Sequence, residues 1–439
     1  MKANEEEKVR SRKNEQRGSF HHDPAMIDPT VRIPPLRSDL ELLPVSKNGV
    51  DLIYIVDSQG YMDQPLVLGK PVSALLPMLN GHYSVRDIVR DLRRYGADTG
   101  ETELQELVMA FDKAGLLLSP SFQQRREKIE ERFEKRKLRP AVCAGVSYPA
   151  NAADLRAMLK RAFEETERVP VSFGRIRALF APHIDTRVNL SVYASGFRHL
   201  AALKPKRVVI LATSHYSGGY HPLYNGLPYI GSHKDFSTPL GVVPADLKAI
   251  RDLAAVAGQT GLSFRDRAHR SEHSIELHLV FLQYMWSHPF AIVPILVGSL
   301  EDLYYMREGD TGKKVDAMTR ELGNRYAEDD ETLFLISGDL AHIGKKFGDR
   351  QSANSMYDDM CSYDRLFLGS AARGRADELL SLQAEYDDAY RICGFPPLYT
   401  ALQALPEARG TITGYDIWDD REQESAVSFC SIIYSDGAR

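Results

Sequence analysis

Four short apolar runs constrain this chain more than any other feature: RALFA (177–181), RVVILAT (207–213), AIVPILVG (291–298) and TLFLISG (332–338). Each is rich in branched side chains, apolar on successive residues and too short for an ordinary helix, so each reads as a strand buried on both faces. Segments of helical length lie between them. This alternation predicts an α/β domain with a largely parallel sheet flanked by helices.

In such sheets ligands gather beyond the carboxyl ends of the strands. After RALFA come His183 and Asp185, after RVVILAT come Ser214 and His215, and after TLFLI come Ser337, Asp339 and His342. Three strand ends of four thus carry histidine, the commonest protein ligand for divalent transition metals. Cys393, in RICGFPP, follows no strand, but the glycine and prolines beside it fix a tight turn that can present a thiolate as an anionic third ligand. Sulfur would favour iron, copper or zinc over magnesium or calcium. Taken singly, His183 and His215 also read as loop or capping residues, Asp339 and His342 as a helix cap and a surface histidine, and Cys393 as a small buried hydrophobe. In RSEHSIELHL (270–279) polar residues recur at spacings of four, which predicts either a charged helical face or a carboxylate that orients a ligating histidine.

The rest of the chain divides by composition. At 439 residues it exceeds one ordinary core. Residues 1–36 are polar and broken by Pro24, Pro29, Pro34 and Pro35, and are expected to form a flexible arm. From 37 to 120, two strand-like runs (40–45 and 51–56) meet across Asn48-Gly49, the dipeptide of type I′ hairpins. Ser84 and Thr102 stand where helix N-caps belong, Gly115 where a helix would end, and Leu116, Leu117 and Leu118 read as a last strand. Together these predict a small winged-helix-like α+β domain. Residues 121–139 set Glu and Lys or Arg at helical spacing with almost no apolar face, as in a solvated helical linker. The large domain is 140–439.

With 55 basic and 60 acidic residues the net charge is −5, which gives no general field for nucleic acid or an anionic membrane. No apolar stretch approaches the roughly 18 residues of a spanning helix, and the N-terminus lacks a signal-peptide core. A cytoplasmic protein without nucleic-acid or membrane partners is expected. Four cysteines without a CxxC pair argue against a disulfide framework and a structural zinc site. GxSxG, GxxxxGK[ST] and GxGxxG are all missing, which removes the commonest hydrolase, NTPase and dinucleotide readings.

The motifs CAGVSYPAN (143–151), FAPHID (180–185), ATSHYSG (212–218), FSTPLG (236–241), EHSIELHL (272–279), PILVG (294–298), SGDLAH (337–342) and ICGFPP (392–397) together resemble the Memo family, whose bacterial members are called AmmeMemoRadiSam system protein B. The resemblance implies a fold like the class III, LigB-type extradiol dioxygenases. It also implies a redox metal, Fe2+ first and copper as the alternative, held by His183, His215 and Cys393, with zinc left possible by the sulfur ligand. Asp339 and His342 match a pair beside the metal, and His273 a further pocket residue. Cys143 replaces the family's histidine, Val280 its proline, and Asp185 stands where no carboxylate is usual, as a fourth ligand, a hydrogen-bonding neighbour or a general base. The N-terminal domain resembles PqqD-type peptide-binding winged helices. That implies a peptide on this domain, and a radical SAM protein and an AMMECR-type protein of the same system as partners. Redox or oxygen-dependent chemistry on a peptide or small molecule is therefore the leading expectation. A non-catalytic adaptor and a metal-dependent hydrolase are the alternatives.

Overall fold

The structure, a computed structural model, describes residues 28–47, 49–97, 99–167 and 174–436. The chain divides into two compact units, Met1–Ile129 and Glu130–Arg439.

In the first unit, β1 (Glu41–Lys47), β2 (Val50–Val56) and β3 (Leu66–Gly69) form an antiparallel sheet in that order. Asn48 of the expected turn lies outside the described residues, while Gly49 has φ 78°, the left-handed region such a turn needs. The helix Val85–Arg94 begins as the sequence predicts: Ser84 accepts the Asp87 N–H and Asp87 returns a bond to the Ser84 N–H. The next helix, Glu101–Ala114, is capped from Gly100 through the Glu103 side chain, so Thr102 lies within its first turn and is not its cap. Leu116–Leu118 is not a strand. Leu117 makes only an isolated bridge to Leu36, and β3 is the third strand instead. Of the expected arm, residues 1–27 lie outside the described residues, whereas Ile33 is buried and donates its N–H to the Tyr83 carbonyl. The segment expected as a linker contains the helix Pro120–Glu134. Its Phe122 packs edge-on against Tyr61 and under the Arg37 guanidinium.

The second unit opens with the end of that helix, where Glu130 and Glu134 pair with Arg267. Its strands are β4 (Leu138–Arg139), β5 (Ile176–Ala181), β6 (Arg207–Thr213), β7 (Tyr229–Gly231), β8 (Asp235–Thr238), β9 (Gly241–Val243), β10 (Leu262–Ser263), β11 (Ala291–Val297), β12 (Thr332–Ser337), β13 (His342–Gly344), β14 (Ala408–Asp420) and β15 (Ser425–Asp436). Nine of them make one sheet in the order β10-β7-β11-β6-β12-β5-β15-β13, with β14 on β15, and β4-β8-β9 make a small second sheet. The four apolar runs are the four central strands, β11, β6, β12 and β5, mutually parallel. Strands antiparallel to this centre flank it on both sides, through β7 against β11 and β15 against β5.

Apolar side chains from the two faces of these strands enter two separate cores. Phe180, Val209, Leu211, Phe334 and Ile336 go to one, and Leu179, Val208, Ile210, Leu333 and Leu335 to the other. Continuous apolar sequence is what a strand covered on both faces requires. Because β6, β12 and β5 are neighbours, the residues after Thr213, Ser337 and Ala181 emerge side by side.

Candidate metal centre

Pro182 ends β5 and His183 turns in over the sheet edge, where it is 2% exposed. Its main-chain N–H and that of Ile184 both donate to Asp339 Oδ1, at 2.9 and 3.2 Å, so the loop after β12 fixes the loop after β5. His183 Nδ1 lies 3.0 Å from Ser337 Oγ, whose own proton goes to the Ser274 carbonyl. The hydroxyl can therefore only accept from His183, so Nδ1 carries the proton and Nε2 keeps its lone pair. That Nε2 faces Cys393 Sγ at 3.3 Å and Asp339 Oδ2 at 3.7 Å.

His215, two residues past β6, is oriented in the same way. Its Nδ1 is 2.9 Å from Glu272 Oε1, and its main-chain N–H donates to Glu272 Oε2 at 2.8 Å. Glu272 also accepts the N–H groups of His273 and Ser274. The ligating atoms of His183, His215 and Cys393 lie within 4.8 Å of one another. Asp339, His342 and Cys393 form an overlapping group, as do His215, Glu272 and His273. Cys393 accepts the Asp339 N–H at 3.3 Å, and its carbonyl is held by the Thr213 hydroxyl.

The charges follow from burial and proximity. Burial opposes any proton on His183, and the neighbouring His215 and His273 add to that, driving it well below the ordinary histidine value. At His215 burial acts in the same direction, but the Glu272 carboxylate and then Cys393 outweigh it and hold His215 well above that value. Burial alone would raise Glu272, yet His215 carries it down to about 2. His273 is pushed to about 4 by burial and by His215, and His342 likewise. Burial lifts Asp339 to about 7 against the two N–H groups it accepts, and it lifts the Cys393 thiol too. A metal ion competes with these protons, since bound imidazole must be neutral and bound sulfur a thiolate. The donor set suits a transition ion: two imidazole Nε2 atoms and one thiol, with the other nitrogen of each imidazole held by an oxygen acceptor.

Of the seven residues the sequence offers as metal ligands or pocket residues, six come together: His183, His215, Cys393, Asp339, His342 and His273. Asp185 does not join these donor groups. Its carboxylate is committed to Arg187, through two side-chain bonds and one main-chain bond, and to the Ser147 hydroxyl at 3.0 Å. Burial would raise it, but the Arg187 bonds dominate and hold it below the ordinary carboxylate value.

The EHSIELHL segment departs from the expected helix. Its helix starts only at Glu276, so Glu272 and His273 reach the site from the preceding turn. Glu276 is fully buried and serves a different purpose, accepting from Arg139, the Tyr148 hydroxyl and the N–H groups of Val142 and Cys143. Sequence reasoning missed Arg391 and Asp349, which close the loop carrying Cys393 over His342.

The fold and site define an α/β protein that gathers two imidazoles and a thiol at the carboxyl edge of a parallel strand group. The family model described as Memo-like protein matches residues 139–433, and the chain belongs to that family. A MEMO1 family protein of Aquifex aeolicus is 24% identical over 385 residues, covering 87% of this chain and 96% of its own. That span exceeds the family match, so the likeness includes part of the N-terminal unit. A MEMO1 family protein of Thermus thermophilus is 27% identical over 78% of this chain and 95% of its own, and the Protein memo-1 homolog of Caenorhabditis elegans is 30% identical over 62% and 72%.

Proposed function

We propose that this chain holds one metal ion, redox-active Fe2+ first, with copper and the redox-inert zinc as competitors, through His183 Nε2, His215 Nε2 and Cys393 Sγ, and acts on a peptide or small molecule. The observation that carries this reading is the convergence of three such donors, from three separate segments, with each imidazole's Nδ1 already committed to an oxygen. Iron or copper would supply redox or oxygen-dependent chemistry. The chain's own part is binding and proton handling. His342 Nδ1 faces only carbonyl oxygens, of Leu340 and Arg391, so it carries a proton and Nε2 is the basic atom. Asp339, with a pKa near 7, gives or takes a proton at neutral pH while Oδ1 stays bonded to the β5 loop. His273, with Nδ1 3.4 Å from Glu272 Oε1, is neutral at pH 7. Asp185, fixed by Arg187, orients the loop after His183 and is not the base.

Within this reading the second unit is a LigB-type, dioxygenase-like domain. The first is a PqqD-like winged helix that presents a peptide, with a radical SAM protein and an AMMECR-type protein as partners in the cytoplasm. The three-stranded sheet followed by capped helices supports the winged-helix part. No described helix is long and apolar enough to cross a membrane.

Elemental analysis of the anaerobically purified chain tests the proposal. One iron or copper per chain is expected, lost in His183→Ala and in His215→Ala. Undiminished metal in both variants would refute the site. Stoichiometric zinc together with hydrolysis that consumes no oxygen would move the assignment to a hydrolase.

A further inference from the structure

The loop between the helices Ala376–Glu385 and Phe395–Ala404 carries Cys393, and its backbone is strained. Asp387, Asp388 and Arg391 have φ of 49°, 48° and 51°, the left-handed region that side chains with a Cβ disfavour. Among the described residues only Glu424 is another non-glycine in that state. Strain of this kind persists only where the surroundings hold it, and here the holding bonds can be named.

The Asp388 carboxylate accepts from the Ile392 N–H and from Gln383 Nε2, both within the loop and the helix before it. Arg391 reaches outward. Its Nη2 meets Asp349 Oδ1 at 2.5 Å, and its Nη1 meets Asp349 Oδ2 at 3.2 Å and the His342 carbonyl at 3.0 Å. Asp349 is itself fixed by the Gly344 N–H at the end of β13. The main chain of the same loop holds His342 from the other side. The Tyr390 carbonyl accepts the His342 N–H at 2.8 Å, and the Arg391 carbonyl accepts His342 Nδ1–H at 3.1 Å. One turn thus presents the thiol and supplies one of the two carbonyls, the other being that of Leu340 at 3.0 Å, that face Nδ1 of the histidine sharing a donor group with it.

We propose that Arg391 is a positioning residue for the metal centre: its guanidinium, paired with Asp349, holds the left-handed turn, and the turn places both Cys393 and one of the two carbonyls that accept the His342 Nδ1 proton. The proposal rests on the metal site described above. It makes an unusual demand on substitutions. Arg391→Ala removes the guanidinium and leaves a Cβ in the left-handed conformation, so the turn relaxes and its carbonyl moves. Arg391→Gly removes the same side chain but adopts positive φ freely, so the turn is kept. Glycine should therefore be the milder truncation, and Arg391→Lys should restore part of the ion pair.

The test uses the full chain. Long-range 1H–15N NMR of the metal-free protein reads the His342 tautomer, the signal being assigned by its loss in His342→Gln. Cobalt(II) titration reads affinity at the thiol. The wild type should show a single Nδ1–H tautomer. Arg391→Ala should show a displaced His342 Nδ1–H signal, with the Leu340 carbonyl left as its acceptor, and about tenfold weaker cobalt binding, the size typical of groups that orient ligands, with Arg391→Gly and Arg391→Lys nearer to wild type on both readouts. Equal behaviour of the Ala and Gly variants, or a worse Gly variant, would overturn the proposal. If Arg391→Ala does not fold, Arg391→Gly decides: a His342 Nδ1–H signal at the wild-type position supports the proposal and a displaced one overturns it. The tautomer is read without metal, so a wild type that binds no cobalt would overturn the metal site and leave this measurement to stand or fall separately.

Discussion

His273 and His278 stand five residues apart in one conspicuous segment, and both are held neutral by their surroundings, at about 4 and about 3. Their settings are opposite. His273 lies beside Glu272, with its ring 4.7 Å from that of His215 and 5.2 Å from that of His183. His278 is fully buried, stacked on Phe197 and tilted against Tyr193, and neither of its nitrogens has a partner among the described residues. One histidine is part of a polar constellation and the other fills a hydrophobic core. The difference lies in their neighbours: a carboxylate and two imidazoles beside His273, aromatic rings beside His278. Glu272 and Glu276 divide the same way: the first orients His215, while the second anchors the start of the domain through Arg139.

The largest expected effect separates the two glutamates. Glu276→Gln leaves the fully buried Arg139 without its countercharge, and should cost about 3–5 kcal/mol in urea unfolding. Glu272→Gln should change stability less but weaken metal binding by about 10- to 100-fold, read by titration. If both variants lost metal and stability alike, the distinction would fail.

Asp339→Asn comes next. The native carboxyl binds its proton up to a pH near 7, whereas an unfolded one releases it near 4. Between those values the folded state holds more protons, so wild-type stability falls as pH rises through this window. The asparagine variant has no such loss, and in the metal-free chain it should gain on wild type from pH 4 to pH 7, on the order of 3 kcal/mol in all, by thermal unfolding at several pH values. A constant difference would show that Asp339 is ionised throughout. The smallest effect is at His278: His278→Phe removes two unpartnered nitrogens and keeps an aromatic ring, so stability should rise by about 1 kcal/mol with metal content unchanged. Loss of metal there would erase the contrast with His273.

Much of this was legible in the sequence because parallel strands covered on both faces must be continuously apolar. The four runs declared themselves, and their ends named His183, His215, Asp339 and His342. The hairpin of β14 and β15 was not legible. Its connection, through Arg421–Gln423 to Glu424 at φ 50°, contains neither glycine nor asparagine, so no turn signal marked it. Leu116–Leu118 misled for the opposite reason, since apolar residues after a helix cap look like a strand whether or not a partner exists. Phe122 and Phe133 are lone aromatics in a charged helix, too sparse to show a face, yet both are buried. Arg391 and Asp349 could not be found by spacing at all, because their pairing depends on a strained turn and on a loop residue 42 positions away in sequence.

The most direct test of the central claim is X-ray absorption at the metal edge of the purified chain. Two nitrogen scatterers near 2.0–2.1 Å, from His183 and His215, and one sulfur scatterer near 2.3 Å, from Cys393, are predicted if the ion is zinc, by the usual ligand distances. The same two-nitrogen, one-sulfur shell is expected for iron or copper. The sulfur contribution should vanish in Cys393→Ser. A first shell of nitrogen and oxygen alone in the wild type would contradict the account.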